Sequence, residues 1–165
     1  MVLGGSSLIM ERNSAMSWNV AGLAAAISLR QASNLQINDC EFVKNLATDK
    51  VGAILIDQDC TAKIYDSLFK ENVGSDAISV LKLNKAKELF IQGCEFIDNV
   101  SKSVLFQLQS TESITIKDST FIGNKASDVT PGIYLLGSTM TAENVTILQN
   151  ESYLSDYRLL QARQL

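Results

Sequence analysis

A chain of 165 residues, 46% hydrophobic and 19% charged, has the length of one domain and too much apolar content for disorder. Its net charge of −4 lacks the basic footprint that a nucleic acid or an anionic membrane surface would require. It has no histidine, which excludes imidazole catalysis and His-ligated metals, and no apolar run approaches the ~20 residues that span a bilayer.

In chain order, Met10-Glu11-Arg12-Asn13, with Leu8 before it, reads as a degenerate first copy of a pattern that later becomes regular. With Asn13 equated to Asn45 the spacing is 32 residues, so this first coil is expected to carry an insertion. Val20 to Leu29, preceded by Arg12, is apolar but too short and too weakly flanked for a secretion signal, and reads as a core strand.

From Leu35 one phrase recurs: apolar, x, Ile, x, turn residue, small, x, Phe, x, x, Asn. Its copies are Leu35-Ile37-Asp39-Cys40-Phe42-Asn45, Ala62-Ile64-Asp66-Ser67-Phe69-Asn72, Leu89-Ile91-Gly93-Cys94-Phe96-Asn99 and Ile114-Ile116-Asp118-Ser119-Phe121-Asn124. A weaker fifth copy is Met140-Ala142-Asn144-Val145-Ile147-Asn150. The Asn positions lie 27, 27, 25 and 26 residues apart, the period of a stacked solenoid.

Within a copy, Leu35 and Ile37 alternate with Gln36 and Asn38, which is strand periodicity. Asp39, Asp66, Gly93, Asp118 and Asn144 are residue types that accept positive φ, so a turn follows. A second short strand then points Cys40 and Phe42 inward and Glu41 outward. The Asn closes a second turn, loops such as Leu46–Val51 and Lys125–Gly132 follow, and a third strand completes the coil. The third strands are Ala53-Ile54-Leu55-Ile56, Ala77-Ile78-Ser79-Val80, Val104-Leu105-Phe106 and Ile133-Tyr134-Leu135. Three strands and three turns make one triangular winding, and parallel crossovers are right-handed. The expectation is an all-β, right-handed parallel β-helix over residues 1–150, with about six coils of roughly 26 residues and a length of about 30 Å.

Stacked in register, Phe42, Phe69, Phe96 and Phe121 form an aromatic column that Ile147 continues. Asn45, Asn72, Asn99, Asn124 and Asn150 form a buried amide ladder, each rung supplying the partners its neighbour needs. Cys40 and Cys94 share one small-residue slot, with Ser67 between them. At strand spacing they lie ~10 Å apart, too far for a disulfide. With Cys60 they read as small buried fillers.

Beyond Asn150 the pattern stops. Residues 151–165 are expected to be a cap or linker, because Leu154, Tyr157, Leu160, Gln161 and Leu165 have near-helical spacing. No cap is evident at Met1-Val2-Leu3-Gly4-Gly5. The chain is therefore expected to be a segment of a longer solenoid or to stack on another molecule, since open sheet edges must be paired or covered.

Phe-x-x-Asn in register, with Gly-Ala-Ile at residues 52–54 and Asp-Ala-Ile at residues 76–78, resembles the repeats of polymorphic outer-membrane proteins. Those repeats carry Phe-x-x-Asn and Gly-Gly-Ala-Ile motifs and belong to the pectin-lyase-like right-handed β-helix superfamily. The resemblance covers residues 8–150. The Gly-Gly half is degraded to Val51-Gly52, Ser75-Asp76, Ser103 and Pro131-Gly132, and no autotransporter barrel accompanies the repeats. The resemblance implies a passenger-like, extracellular or cell-surface rod, structural or adhesive, that binds itself, glycans or surface proteins.

Pectate lyases and related hydrolases share that superfamily, so a carbohydrate-active enzyme or glycan-binding module is the alternative. It would need clustered carboxylates for acid–base chemistry or for Ca²⁺. The candidates are the Asp39/Asp66/Asp118 column, Glu41 with Glu95, and Asp57 with Asp59. The column is interrupted by Gly93 and reads as turn formers. Glu41 and Glu95 have Leu68 between them, and Asp57/Asp59 stands alone on a turn. The expectation is no catalytic residue, no metal and no cofactor. Ice binding would need a regular threonine array. Neither outward column, Gln36/Lys63/Phe90/Thr115/Thr141 or Glu41/Leu68/Glu95/Thr120/Thr146, supplies one.

Three glycosylation sequons occur, at Asn99, Asn144 and Asn150. Asn99 and Asn150 belong to the inward ladder, whereas Asn144 sits at an exposed turn. Asn144 is therefore the expected glycan acceptor if the chain is secreted by a eukaryote.

Overall fold

A computed structural model of the chain describes residues 2–22, 24–49, 51–74, 78–127 and 130–152. The proposed cap from residue 153 onward lies outside the described residues. The described chain winds as a parallel β-helix with three sheets, and no α-helix occurs among the described residues. Every strand pairs in parallel with its counterpart one coil away.

The widest sheet holds the repeat phrase itself. Its first two layers are the long strands Ser7–Ser17 and Asn34–Val43. Each later layer has two segments: Thr61–Tyr65 with Leu68–Lys70, Glu88–Gln92 with Glu95–Ile97, Ser113–Lys117 with Thr120–Ile122, and Met140–Glu143 with Thr146–Leu148. A narrow sheet follows the Asn of each coil: Val20–Ala21, Leu46–Ala47, Val73–Gly74, Val100–Ser101, Lys125–Ala126 and Glu151–Ser152. A third, flanking sheet closes the triangle with Val2–Gly4, Ile27–Arg30, Ile54–Asp57, Ile78–Asn84, Val104–Gln109 and Thr130–Leu136. The narrow and flanking sheets are each six strands deep. Five helical pitches separate the first layer from the last, slightly fewer than the expected six or so coils.

Backbone torsions explain how alternating strands turn corners without losing their inward face. Leu35 and Ile37 point inward on odd positions, yet Cys40 and Phe42 are buried on even ones. Asp39, with φ 54°, accounts for the change: one left-handed residue advances the period-two pattern by one position. Asp66, Gly93, Asp118 and Asn144 do the same, with φ between 47° and 67°. A second left-handed column precedes the ladder: Trp18, Lys44, Glu71, Asp98, Gly123 and Gln149. It shifts the phase again, so that each ladder Asn turns inward. Glycine at 93 and 123 has a further reason. A Cβ there would collide with the carboxylate of Asp66 or Asp98, which lies over it from the preceding coil.

The interior is apolar and layered. Phe42, Phe69, Phe96 and Phe121 stack face to face at centroid distances of 4.8, 5.0 and 4.6 Å. Phe106 of the flanking sheet meets Phe96 and Phe121 edge-on, at 4.9 and 5.5 Å. Ile27, Leu29, Ile54, Ile56, Leu81 and Leu83 fill the space between sheets.

The structure corrects three expectations. The first coil carries a one-residue bulge and not the larger insertion implied by equating Asn13 with Asn45: Leu8 pairs with Leu35, Met10 with Ile37, Ser14 with Cys40 and Met16 with Phe42. The Phe-x-x-Asn of this coil is therefore Met16-Ser17-Trp18-Asn19, and Arg12 and Asn13 form the left-handed bulge that stands where Asp39 stands later. In the coil at residue 78, Leu81 rather than Ile78 pairs with Ile54, because an irregularity between Ile78 and Leu81 shifts the register. The stretch after each Asn begins as a two-residue paired strand rather than as loop. The last strand of the narrow sheet, Glu151–Ser152, pairs with Lys125 and Ala126.

Candidate functional site

The residues that define the repeat converge on one device, the amide ladder. Asn19, Asn45, Asn72, Asn99, Asn124 and Asn150 stack one per coil. Asn45 donates from its backbone N at 3.1 Å and from Nδ2 at 2.9 Å to Asn72 Oδ1. Asn72 does the same to Asn99, Asn99 to Asn124, and Asn124 to Asn150. The second Nδ2 hydrogen of each reaches back one coil. Asn45 donates to Met16 O, Asn72 to Phe42 O, Asn99 to Phe69 O, Asn124 to Phe96 O and Asn150 to Phe121 O, at 2.8–2.9 Å. Asn45, Asn72, Asn99 and Asn124 are fully buried and hydrogen-bonded at both polar ends, as buried amides must be.

The small-residue slot forms a second polar column. Cys40 N donates to Ser67 Oγ at 3.1 Å, and Cys94 N donates to Ser119 Oγ at 3.2 Å. Cys40, Cys60 and Cys94 are buried and free. Burial pushes all three thiols above their ordinary value, Cys94 from 9.0 up to about 12. A raised thiol means that the folded chain holds its proton more tightly than the unfolded chain does. The thiol contribution to stability is therefore fully present below pH 9 and declines above it. The Cys94 contribution should fall by about 1.4 kcal/mol per pH unit between pH 9 and about 12. The difference in stability between the chain and Cys94→Ala, measured by denaturant titration, should vary with pH only in that window. Near pH 8 a disulfide reagent should label no native thiol and should label all three after unfolding.

The candidate carboxylates lie apart. Asp118 accepts from Asn144 Nδ2 at 2.8 Å and from Gln92 Nε2 at 3.2 Å, within the turn column. Asp57 accepts from Asn84 Nδ2 at 2.9 Å, and Asp59 is an exposed left-handed turn residue. Glu41 pairs with Leu68, which pairs in turn with Glu95, so the two glutamates lie two coils apart. Among the described residues no three Cys, Asp or Glu side chains gather to hold a metal ion. No helix among them is long and apolar enough to cross a membrane. Exposed ion pairs instead join adjacent coils: Lys44–Glu71, Lys63–Glu88, Lys117–Glu143 and Lys125–Glu151. Glu143 lies 2.6 Å from Lys117 Nζ and holds that ammonium above its ordinary pKa.

Of the sequon residues, Asn99 is buried with its Nδ2 hydrogens engaged, and Asn150 is half-buried in the last rung. Asn144 is exposed at φ 52°. Two surface features had no sequence signal of their own. Tyr65 and Phe90 alternate with inward Ile64 and Ile91, so their rings meet on the outer face of the wide sheet, 5.5 Å apart and tilted 43°. On the narrow sheet, Val20, Leu46, Val73 and Val100 stack into an apolar outer stripe.

Comparison with protein families matches residues 2–157 to the family described as the right handed beta helix region. Comparison with curated proteins and with solved structures returns no match. A match over nearly the whole chain, to a family of the architecture just described, makes this chain a member of the right-handed β-helix family.

Proposed function

We propose that this chain is a non-catalytic structural or adhesive module of an extracellular or cell-surface protein, and that such modules join end to end into a longer rod or filament. The amide ladder is the observation that carries the reading. The identity of nearly every recurring side chain is explained by holding one coil on the next, which is the requirement of a stiff rod. The resemblance to polymorphic outer-membrane-protein repeats supports a passenger-like, surface location and places no demand on a cofactor. The apolar stripe Val20, Leu46, Val73 and Val100 offers a lateral adhesive surface.

Negative-stain images over a wide concentration range test the proposal. Rods that lengthen with concentration are expected, whereas light scattering that stays monomeric at the highest concentration would refute end-to-end joining. If the chain is made in a eukaryotic secretory system, a glycopeptide map should place sugar on Asn144 and leave Asn99 bare. Sugar on Asn99 would contradict its placement in the ladder.

A second reading, glycan binding, is favoured by the Tyr65–Phe90 pair. Half-buried rings on an outer face can stack on sugar faces, and Lys63 and Gln92 flank them as hydrogen-bonding groups. Binding of a neutral or acidic oligosaccharide that is lost in Tyr65→Ala and Phe90→Ala would support it. Turnover of a polygalacturonan would reverse the preference for a non-catalytic role.

A further inference from the structure

We infer that the two ends of the solenoid are complementary and bind a second copy of this chain head to tail, with the amide ladder and the wide sheet running through the joint in register. The inference rests on the end-to-end reading above and specifies its polarity and its contacts.

The ladder has a direction. At every step the earlier Asn donates and the later Asn accepts, from Asn19 Nδ2 to Asn45 Oδ1 at 2.8 Å through to Asn124 Nδ2 to Asn150 Oδ1 at 2.8 Å. Among the described residues, no donor meets Asn19 Oδ1. At the other end, Asn150 uses one Nδ2 hydrogen on Phe121 O, while its backbone N–H and second Nδ2 hydrogen meet no further rung among the described residues. One end thus presents the two donors, and the other presents the acceptor that such donors share inside the rod. Joining like ends would set donor against donor or acceptor against acceptor.

The small-residue column has the same polarity. Its inner steps run from a backbone N–H to the hydroxyl of the next coil. The leading end offers Ser14 Oγ, oriented by its own bond to Glu11 O at 2.8 Å, and the trailing end offers the N–H of Val145 in the equivalent slot. Among the described residues, no further layer covers the apolar interior at the trailing end. Ile147 and Leu135 are 42% and 37% exposed, whereas Phe121 and Leu108, one layer in, are 2% and 0% exposed. Extending the internal register across the joint sets Met140 on Leu8, Ile147 on Met16 and Asn150 on Asn19. On the outer face it brings Thr141 opposite Ile9.

Neighbouring parallel strands lie about 4.8 Å apart, within reach of a disulfide. The test uses the full chain carrying Ile9→Cys or Thr141→Cys, both at exposed positions away from the core. Under mild oxidation a mixture of the two variants should form a disulfide-linked heterodimer at least tenfold faster than either forms a homodimer. The double variant should give a ladder of higher species. A Thr141→Cys homodimer forming as fast as the heterodimer would overturn the polarity. Rods that grow while the mixture fails to cross-link would overturn this register and leave end-to-end joining intact. A monomer at all concentrations would overturn both.

Discussion

Asn72→Ala should lower the unfolding free energy by roughly 3–6 kcal/mol, a large share of the ~5–15 kcal/mol that typically holds a domain together. Alanine removes the acceptor for both the backbone N–H and one Nδ2 hydrogen of Asn45, and the donor to Phe42 O. These groups are buried, and each one left unpaired costs ~1–3 kcal/mol. Asn72→Asp retains the acceptor, loses both donors and adds a buried charge, so it should be worse at pH 7 and partly relieved by acid. Asn144→Ala removes one exposed hydrogen bond and a residue type suited to φ 52°, and should cost about 1 kcal/mol or less. Denaturant unfolding of the three variants checks the order. Equal effects of Asn72→Ala and Asn144→Ala would mean that the ladder does not carry the coil-to-coil stability assigned to it.

The second large effect is expected at Phe96, where three rings meet. It stacks on Phe69 and Phe121 and takes the edge of Phe106. Phe96→Ala should cost about 4–5 kcal/mol, from lost burial, from the cavity left behind and from ring pairs worth ~0.5–1.5 kcal/mol each. Phe96→Leu fills most of that space and should cost about 1–2 kcal/mol. Trp18 is also aromatic but 71% exposed, with Lys44 Nζ 4.7 Å from its ring centre, and its replacement by alanine should stay within about 1 kcal/mol. Thermal melts of the three variants should rank in that order. A Trp18 effect as large as that of Phe96 would place the stabilising aromatic contact at the surface.

The ladder and the aromatic column were legible because each position tolerates few residue types. A buried side chain that must both donate and accept at a fixed spacing is well served by Asn, and a stacked ring is replaced only at the ends, by Met16 and Ile147. The first coil misled for the same reason. Met10-Glu11-Arg12-Asn13 matches the local phrase about as well as Met16-Ser17-Trp18-Asn19 does, and only pairing with Cys40 and Phe42 separates them. Greater weight on a constant spacing than on the residues before the Asn would have favoured Asn19. The left-handed column at Lys44, Glu71 and Asp98 had no such signal. Lys44 and Glu71 are not residue types that favour positive φ, yet they hold it while their backbone N–H groups donate to the next coil, Lys44 to Lys70 O and Glu71 to Ile97 O. The two-residue strands of the narrow sheet are too short for alternation to register.

The winding's period, its parallel stacking, the inward Phe and Asn, and the burial of the cysteine slots all follow from the repeats in the chain. These are properties of one coil repeated, so side-chain type at a fixed spacing suffices to specify them. Only the tertiary structure decided where the phase of each strand shifts, which Asn begins the ladder, and in which direction its amides donate. Those depend on what lies one pitch above and below, because a hydrogen bond between coils has a donor side and an acceptor side that no single coil contains.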